Sequence, residues 1–188
     1  MTKNAGSSAH KKPRTVIVQD PEEIYMAMQA SFQDFEEDGE AFLDLETGDV
    51  IYLHVKEDWE DDDIDAAMER GEIDEEEKTL AKEIYEDPAK RERYLPISEG
   101  ESWWGYQDLK DFIETETIDN PGLFNRLTLA IQGKGAFGRF KEVLAQAGGT
   151  WLDQWYTFEA DRHESRVREW LIDNDVEMKV NRERLNHK

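Results

Sequence analysis

Cysteine is absent from this chain of 188 residues. That excludes disulfides, thiolate zinc sites and thiol nucleophiles together. Long apolar runs are missing too. None approaches the ~18 residues that a membrane-spanning helix requires, and the N-terminus carries charge without the hydrophobic segment of a secretory leader. A soluble, cytoplasmic protein with no membrane contact is the expectation. Apolar residues are scarce at 38%, but aromatics reach 11% and include six Trp. Acidic chains that stay disordered are poor in aromatics, so a packed core is expected in spite of the charge.

Positive charge is the next shortage. Lys and Arg number 23 against 45 Asp and Glu, for a formal net charge of −22. Residues 1–15 are basic, residues 16–120 hold 35 acids against 8 bases, and residues 121–188 are near balance. An acidic surface of that density repels phosphate backbones and anionic lipid unless a basic patch stands apart from it. It suits basic protein partners or divalent cations, and it keeps a protein soluble.

MTKNAGSSAHKKPRT has no apolar periodicity and reads as a flexible basic tail over residues 1–15. TVIV has strand character. In DPEE, Asp20 offers an N-cap and Pro21 the first helical position, with Ile24, Ala27, Met28 and Phe32 following at helical spacing. AFLDLETGDVIYLHV reads as a β-hairpin over residues 41–55, with Gly48 available for positive φ. Acidic helices follow around Ile64–Arg70 and Glu75–Tyr85, and Pro88 stops the second. YLPIS reads as extended. Residues 102–175 carry helical patterns: Trp104, Leu109, Phe112 and Ile113 first, then Leu123, Phe124, Leu127 and Ile131. Phe137, Phe140, Val143 and Leu144 form a third stripe. A capping box at Thr150–Asp153 opens a long helix through Trp155, Phe158, Val167, Trp170 and Leu171. Residues 176–188 read as a C-terminal tail. The fold class is α+β: one mainly helical domain over residues 16–175, with a small antiparallel sheet built on the hairpin.

Gly133–Gly138 spells G-x-G-x-x-G, the pattern of a dinucleotide-binding turn. That turn needs a strand before its first glycine, and here a helical pattern precedes it. The glycines are read as a helix corner, with Gly133 and Gly135 turning the chain and Gly138 allowing close helix packing. Lys134, Arg139 and Lys141 lie near the next helix N-terminus, where dipole and charge together favour an anion or acidic partner.

Asp61, Asp63, Asp65, Glu69 and Glu72 fall at positions 1, 3, 5, 9 and 12 of an EF-hand count. They are the candidate metal ligands, although Ala66 stands where the calcium loop needs glycine. Acids that open a helix are also stabilised by its dipole. Asp44, Glu46 and Asp49 are the carboxylates best fixed by local structure. Of His10, His54, His163 and His187, His163 shares a helix face with aromatic residues and reads as a packed, hydrogen-bonded side chain. Trp103 and Trp104 cannot both face the core from one helix, so one of them is a candidate contact residue.

Several segments together resemble a bacterial group, Uncharacterised Protein Family 0158. They are FLDLETGDVIYL at 42–53, RYLPI at 93–97, DFIE at 111–114, GKGAFGRFKEVL at 133–144 and WLDQWYTFEADRHESRVREWL at 151–171. The resemblance spans about residues 20–175. It implies a bacterial, soluble domain and carries no activity, cofactor or catalytic residue with it.

The leading functional expectation is a non-enzymatic interaction module whose acidic face over residues 57–92 meets a basic protein. Trp103, Trp104, Lys134, Arg139 and Lys141 are its other candidate contacts. A second reading is a nucleic-acid-associated protein using the basic tail with Arg139, Lys141, Arg162, Arg166 and Arg168. A third is a metal-dependent hydrolase using the carboxylates. No cofactor is implied.

Overall fold

The computed structural model describes residues 14–29, 39–55, 57–97, 100–101 and 103–180. Phe32, His10, His187 and residues 1–13 of the basic tail lie outside the described residues. The order of elements is β1 (Arg14–Val18), α1 (Pro21–Gln29), β2 (Glu40–Asp44), β3 (Val50–Leu53), α2 (Asp61–Arg70), α3 (Glu75–Tyr85), α4 (Pro88–Arg91), β4 (Tyr94–Pro96), α5 (Trp104–Glu116), α6 (Pro121–Ala130), α7 (Ala136–Ala147), α8 (Trp151–Asp173) and β5 (Val176–Val180). The class is α+β, mainly helical. The hairpin is present, and β4 joins its β2 edge, giving a three-stranded antiparallel sheet in the order β3-β2-β4.

A second sheet joins the TVIV segment, which has strand character in the sequence, to part of what the sequence pattern assigns to the C-terminal tail. β1 and β5 pair in parallel, Arg14 with Val176 through Val18 with Val180. Residues 14 and 15 and residues 176–180 are therefore strand, not tail. VEMKV is only five residues long and its partner lies some 160 positions away, so local periodicity holds no trace of the pairing. Alternation is legible once the partner is known: Val16 and Val18 on β1, and Val176 and Met178 on β5, are all buried.

Among the described residues, three apolar clusters make up the core. The first gathers Val16, Val18, Ile24, Met28, Leu43, Val167, Leu171, Val176 and Met178 from β1, α1, β2, α8 and β5. A second, from α5 to α8, centres on Phe112, Phe140 and Trp155. In the third, α2 and α3 lay Ile64, Ala67, Ala81 and Ile84 against Phe42, Leu53 and Tyr94 of the antiparallel sheet. Helix α8 runs 23 residues, about 35 Å at 1.5 Å per residue. It feeds Trp155 into the second cluster and Val167 and Leu171 into the first, so it is the strut between them.

Some local expectations change. Phe137 is 46% exposed, and Ala136 takes the inward place at the start of α7. Thr150 makes no cap bond to the backbone; its hydroxyl accepts from the Gln154 side chain at 2.8 Å. A Cβ added at Gly138 would meet no atom of the described residues within 4 Å, so close packing is not the reason for that glycine. Gly48 is the opposite case. Its φ is +77°, and a Cβ there would stand 1.9 Å from the Ile17 carbonyl oxygen. The hairpin turn thus presses on β1, where Gln19 N–H donates to Gly48 O at 3.3 Å and the Gln19 side chain donates to Thr47 O at 2.8 Å.

The two glycines should respond in opposite directions. Gly48→Ala is expected to cost at least about 2 kcal/mol, since left-handed strain adds to a backbone collision. Gly138→Ala should stabilise by about 0.5 kcal/mol through helix propensity alone. Urea unfolding of the two variants beside the parent measures both.

Candidate functional site

Among the described residues, a set of interlocked polar and aromatic side chains lies where α1, α5 and α8 meet. Asp108 sits on α5 with its side chain 1% exposed. It occupies the helix face that also carries Trp104 and Phe112, four residues to either side, so the helix repeat carries it inward. A bare carboxylate at that depth is costly, and two arginines of α8, one turn apart, neutralise it. Arg166 donates to Oδ2 at 2.7 Å and to Oδ1 at 2.6 Å, and Arg162 Nε donates to Oδ1 at 3.0 Å. Arg162 also reaches Asp111 at 2.9 Å, which in turn accepts from Gln107.

Aromatic rings close the site. The Arg166 guanidinium lies 5.0 Å from the Trp104 ring centre and 5.8 Å from that of Tyr25, within cation–π range of both. His163 stacks on Tyr25 with centroids 3.7 Å apart, and its Nδ1 lies 2.8 Å from a Glu22 carboxylate oxygen. Burial pushes the Tyr25 phenol up, against the opposing pull of Arg166. Burial likewise raises Glu159, one turn before His163 on α8, and Lys141 only partly offsets it. Chemically this is a saturated arrangement. Asp108 spends both oxygens on guanidiniums and Arg166 is held on a ring face, so the cluster joins three helices.

A second ion pair fixes the hairpin carboxylates. Asp44 accepts from Arg93 Nε at 2.8 Å and from the Glu46 N–H at 2.9 Å, and Arg93 also pairs with Glu46 at 2.8 Å. Burial would push the Asp44 carboxyl up, but the hydrogen bonds from Arg93 and the Glu46 amide outweigh it and hold it below the ordinary carboxylate range. Asp44 is thus a fixed anion that ties β2 to the residue just before β4.

The sequence-derived candidates are scattered by the fold. Asp61, Asp63, Asp65 and Glu69 lie on α2 and Glu72 beyond its end, so they stand on a helix where an EF-hand needs a loop. Asp63 accepts from the Glu60 N–H in a capping box, Asp65 pairs with Lys78 at 2.9 Å and Glu72 with Arg70 at 2.6 Å. Among the described residues no three His, Asp or Glu side chains are placed to hold a metal ion. Arg139 turns back to donate to the carbonyls of Ala130, Gln132 and Lys134, capping the end of α6, so it is not free for an anion. Lys141 lies 3.8 Å from Glu159 and over the Tyr156 ring, while Lys134 is exposed in the turn. The turn follows helix α6, with Gly133 and Gly135 at positive φ. Arg168 pairs with Glu164 along α8. Of the five side-chain cations proposed for nucleic acid, Lys141, Arg162, Arg166 and Arg168 thus pair with carboxylates of the chain itself, and Arg139 is held by carbonyls. Trp104 packs on the first core cluster; Trp103 is 56% exposed, and the Phe137 ring lies against Gly105.

The Asp108 cluster escapes a reading of the sequence alone. Its signal is an acid on an apolar helical stripe, with paired arginines four apart on another helix; only the fold matches the two.

Removing one side of this cluster should cost more than removing a rim charge. Asp108→Ala is expected to destabilise by about 3–5 kcal/mol, because two guanidiniums lose their buried partner. Arg162→Met, on a side chain 40% exposed, should cost about 1 kcal/mol. Chemical denaturation at neutral pH compares them. For Asp44–Arg93 the folded carboxyl titrates below the unfolded one. Its stabilisation is therefore complete above the ordinary value, about pH 3.9, and is lost as pH falls through the folded value. The stability gap between the parent and Arg93→Met should be about 2 kcal/mol at neutral pH and shrink below about pH 4. Melting curves across that range test it.

No curated protein and no solved structure matches the chain. A family model does, over residues 23–188, taking in most of α1, everything from β2 through β5, and Asp44, Arg93, Asp108, Arg162 and Arg166 of the two ion-pair networks. The chain belongs to the uncharacterised protein family UPF0158.

Proposed function

We propose that the protein is a cytoplasmic, non-enzymatic interaction module whose acidic face, residues 57–92, binds a basic protein. The observation that supports this is the division of labour on α2 and α3. Their apolar faces are taken up by the antiparallel sheet, and their carboxylates stand outward. Fourteen of the seventeen acids in this segment are exposed, against five bases. Four of those bases are already paired, Arg70 with Glu72, Lys78 with Asp65, Lys90 with Glu83 and Arg91 with Glu57. The surplus of negative charge is left for a partner. Such a field speeds encounter with a cation-rich surface and weakens as salt rises. Exposed Trp103 offers an apolar contact of the kind that adds affinity where charge supplies steering.

A Lys- and Arg-rich peptide titrated into the protein tests the reading. Asp61, Asp62, Glu69 and Glu76 are the acids to neutralise, because Asp63, Asp65 and Glu72 hold the cap and pairs described above. Asp61→Asn, Asp62→Asn, Glu69→Gln and Glu76→Gln together should weaken binding about tenfold, at ~0.3–0.5 kcal/mol per exposed charge. Affinity should also fall steeply with salt. Unchanged affinity in the fourfold variant would remove the acidic face from consideration.

A further inference from the structure

We propose that β5 is the seam of a homodimer, pairing antiparallel with β5 of a second copy to make a four-stranded sheet. Arg14 N–H donates to Asp175 O at 3.1 Å, and Arg14 stands opposite Val176 in the parallel register. In such a ladder the residues of one strand point their backbone groups alternately to either side. Asp175, Glu177 and Lys179 therefore face β1, and the N–H and C=O groups of Val176, Met178 and Val180 face the other edge of β5. On β1 the groups turned away from β5 belong to Thr15 and Ile17, and just past the strand the hairpin turn answers where Gln19 N–H donates to Gly48 O. Among the described residues no strand lies along the outer edge of β5. A groove of about 370 Å³ runs beside it, lined by Arg168, Ile172, Val176 and Met178, with Ile172 61% exposed. Two-stranded parallel sheets rarely stand alone, and an open edge is a template for another strand.

The strand itself specifies a second copy as the occupant. In VEMKV, a two-fold axis at Met178 places Val176 opposite Val180 and Glu177 opposite Lys179 of the other protomer. Met178 then exchanges both backbone hydrogen bonds with its own copy, as do Val176 and Val180 with each other. Glu177 and Lys179 fall at the non-hydrogen-bonded positions, where side chains come closest. Both are exposed, and they meet twice across the axis as opposite charges. Each copy carries a net charge of −22, so long-range repulsion opposes the seam and the dimer should tighten as salt is added. This sign is the reverse of that expected for a basic partner on the acidic face, so the two proposals stand or fall separately.

Sedimentation equilibrium on the full chain tests it. The parent should show a monomer–dimer equilibrium that shifts toward dimer with salt. Glu177→Lys and Lys179→Glu should each raise the dissociation constant about tenfold or more, since both cross-strand contacts turn repulsive. Mixing the two variants should restore the dimer as a heterodimer, because opposite charges then face each other at both contacts. A parent that stays monomeric at all concentrations would overturn the proposal, as would single variants that dimerise like the parent or a mixture that forms no heterodimer. Both substitutions lie at exposed positions, and thermal melts of each variant check that the fold is kept.

Discussion

Asp108 is placed on α5 among Trp104, Leu109 and Phe112, in a position where a solvated carboxylate cannot exist. It is tolerable only because Arg162 and Arg166 arrive from α8 with two parallel hydrogen bonds and a third contact. Replacing such a buried pair by apolar residues is often neutral, whereas leaving one partner alone is severe. Its consequence is therefore more about geometry than about net stability. With Arg166 pinned between Asp108 and the rings of Tyr25 and Trp104, the rotation of α8 about its axis is set, and α1 is set with it through His163 and Glu22. That rotation decides which residues of α8 enter which core: Trp155 toward α5–α7, Val167 and Leu171 toward β1 and β5.

The acidic half is attached differently. Its own apolar cluster closes α2 and α3 over the antiparallel sheet. The sheet meets the rest of the molecule through Leu43 and through the turn at Gly48 under β1. Asp44 and Arg93 keep β2 and β4 in register at that junction, so the sheet can carry strongly repelling helices without itself shifting. Concentrating carboxylates on one layer costs self-repulsion there, and it leaves residues 121–188 near charge balance. The acidic face of α2 and α3 and the edge of β5 are two separate surfaces on one chain.

Legibility follows the range of the interaction. The acidic helix over Glu75–Tyr85 and the hairpin around Gly48 depend on contacts within a few residues, and they stand where local pattern puts them. The glycine turn after α6 is legible as a helix corner for the same reason. Arg139 is not. Its basic charge beside a helix N-terminus suggests an anion, but the guanidinium folds back on carbonyls five to nine residues earlier, a conformation set by the turn itself. The EF-hand spacing misleads through its period. Alternate residues share a direction in an extended loop, whereas on α2 they diverge by about 200° of helical rotation.

By itself the sequence determined the α+β class, the existence of most helices, the hairpin and the charge division between acidic and balanced halves. Periodicity, caps and composition are properties of neighbouring residues, so they survive without any knowledge of the fold. Tertiary structure alone decided that β1 pairs with β5, that Asp108 is matched by Arg162 and Arg166, and that Trp103 is the exposed member of its pair. Each of those depends on groups brought together from distant parts of the chain. Burial and electrostatic pairing act through space, and only the folded arrangement supplies the distances.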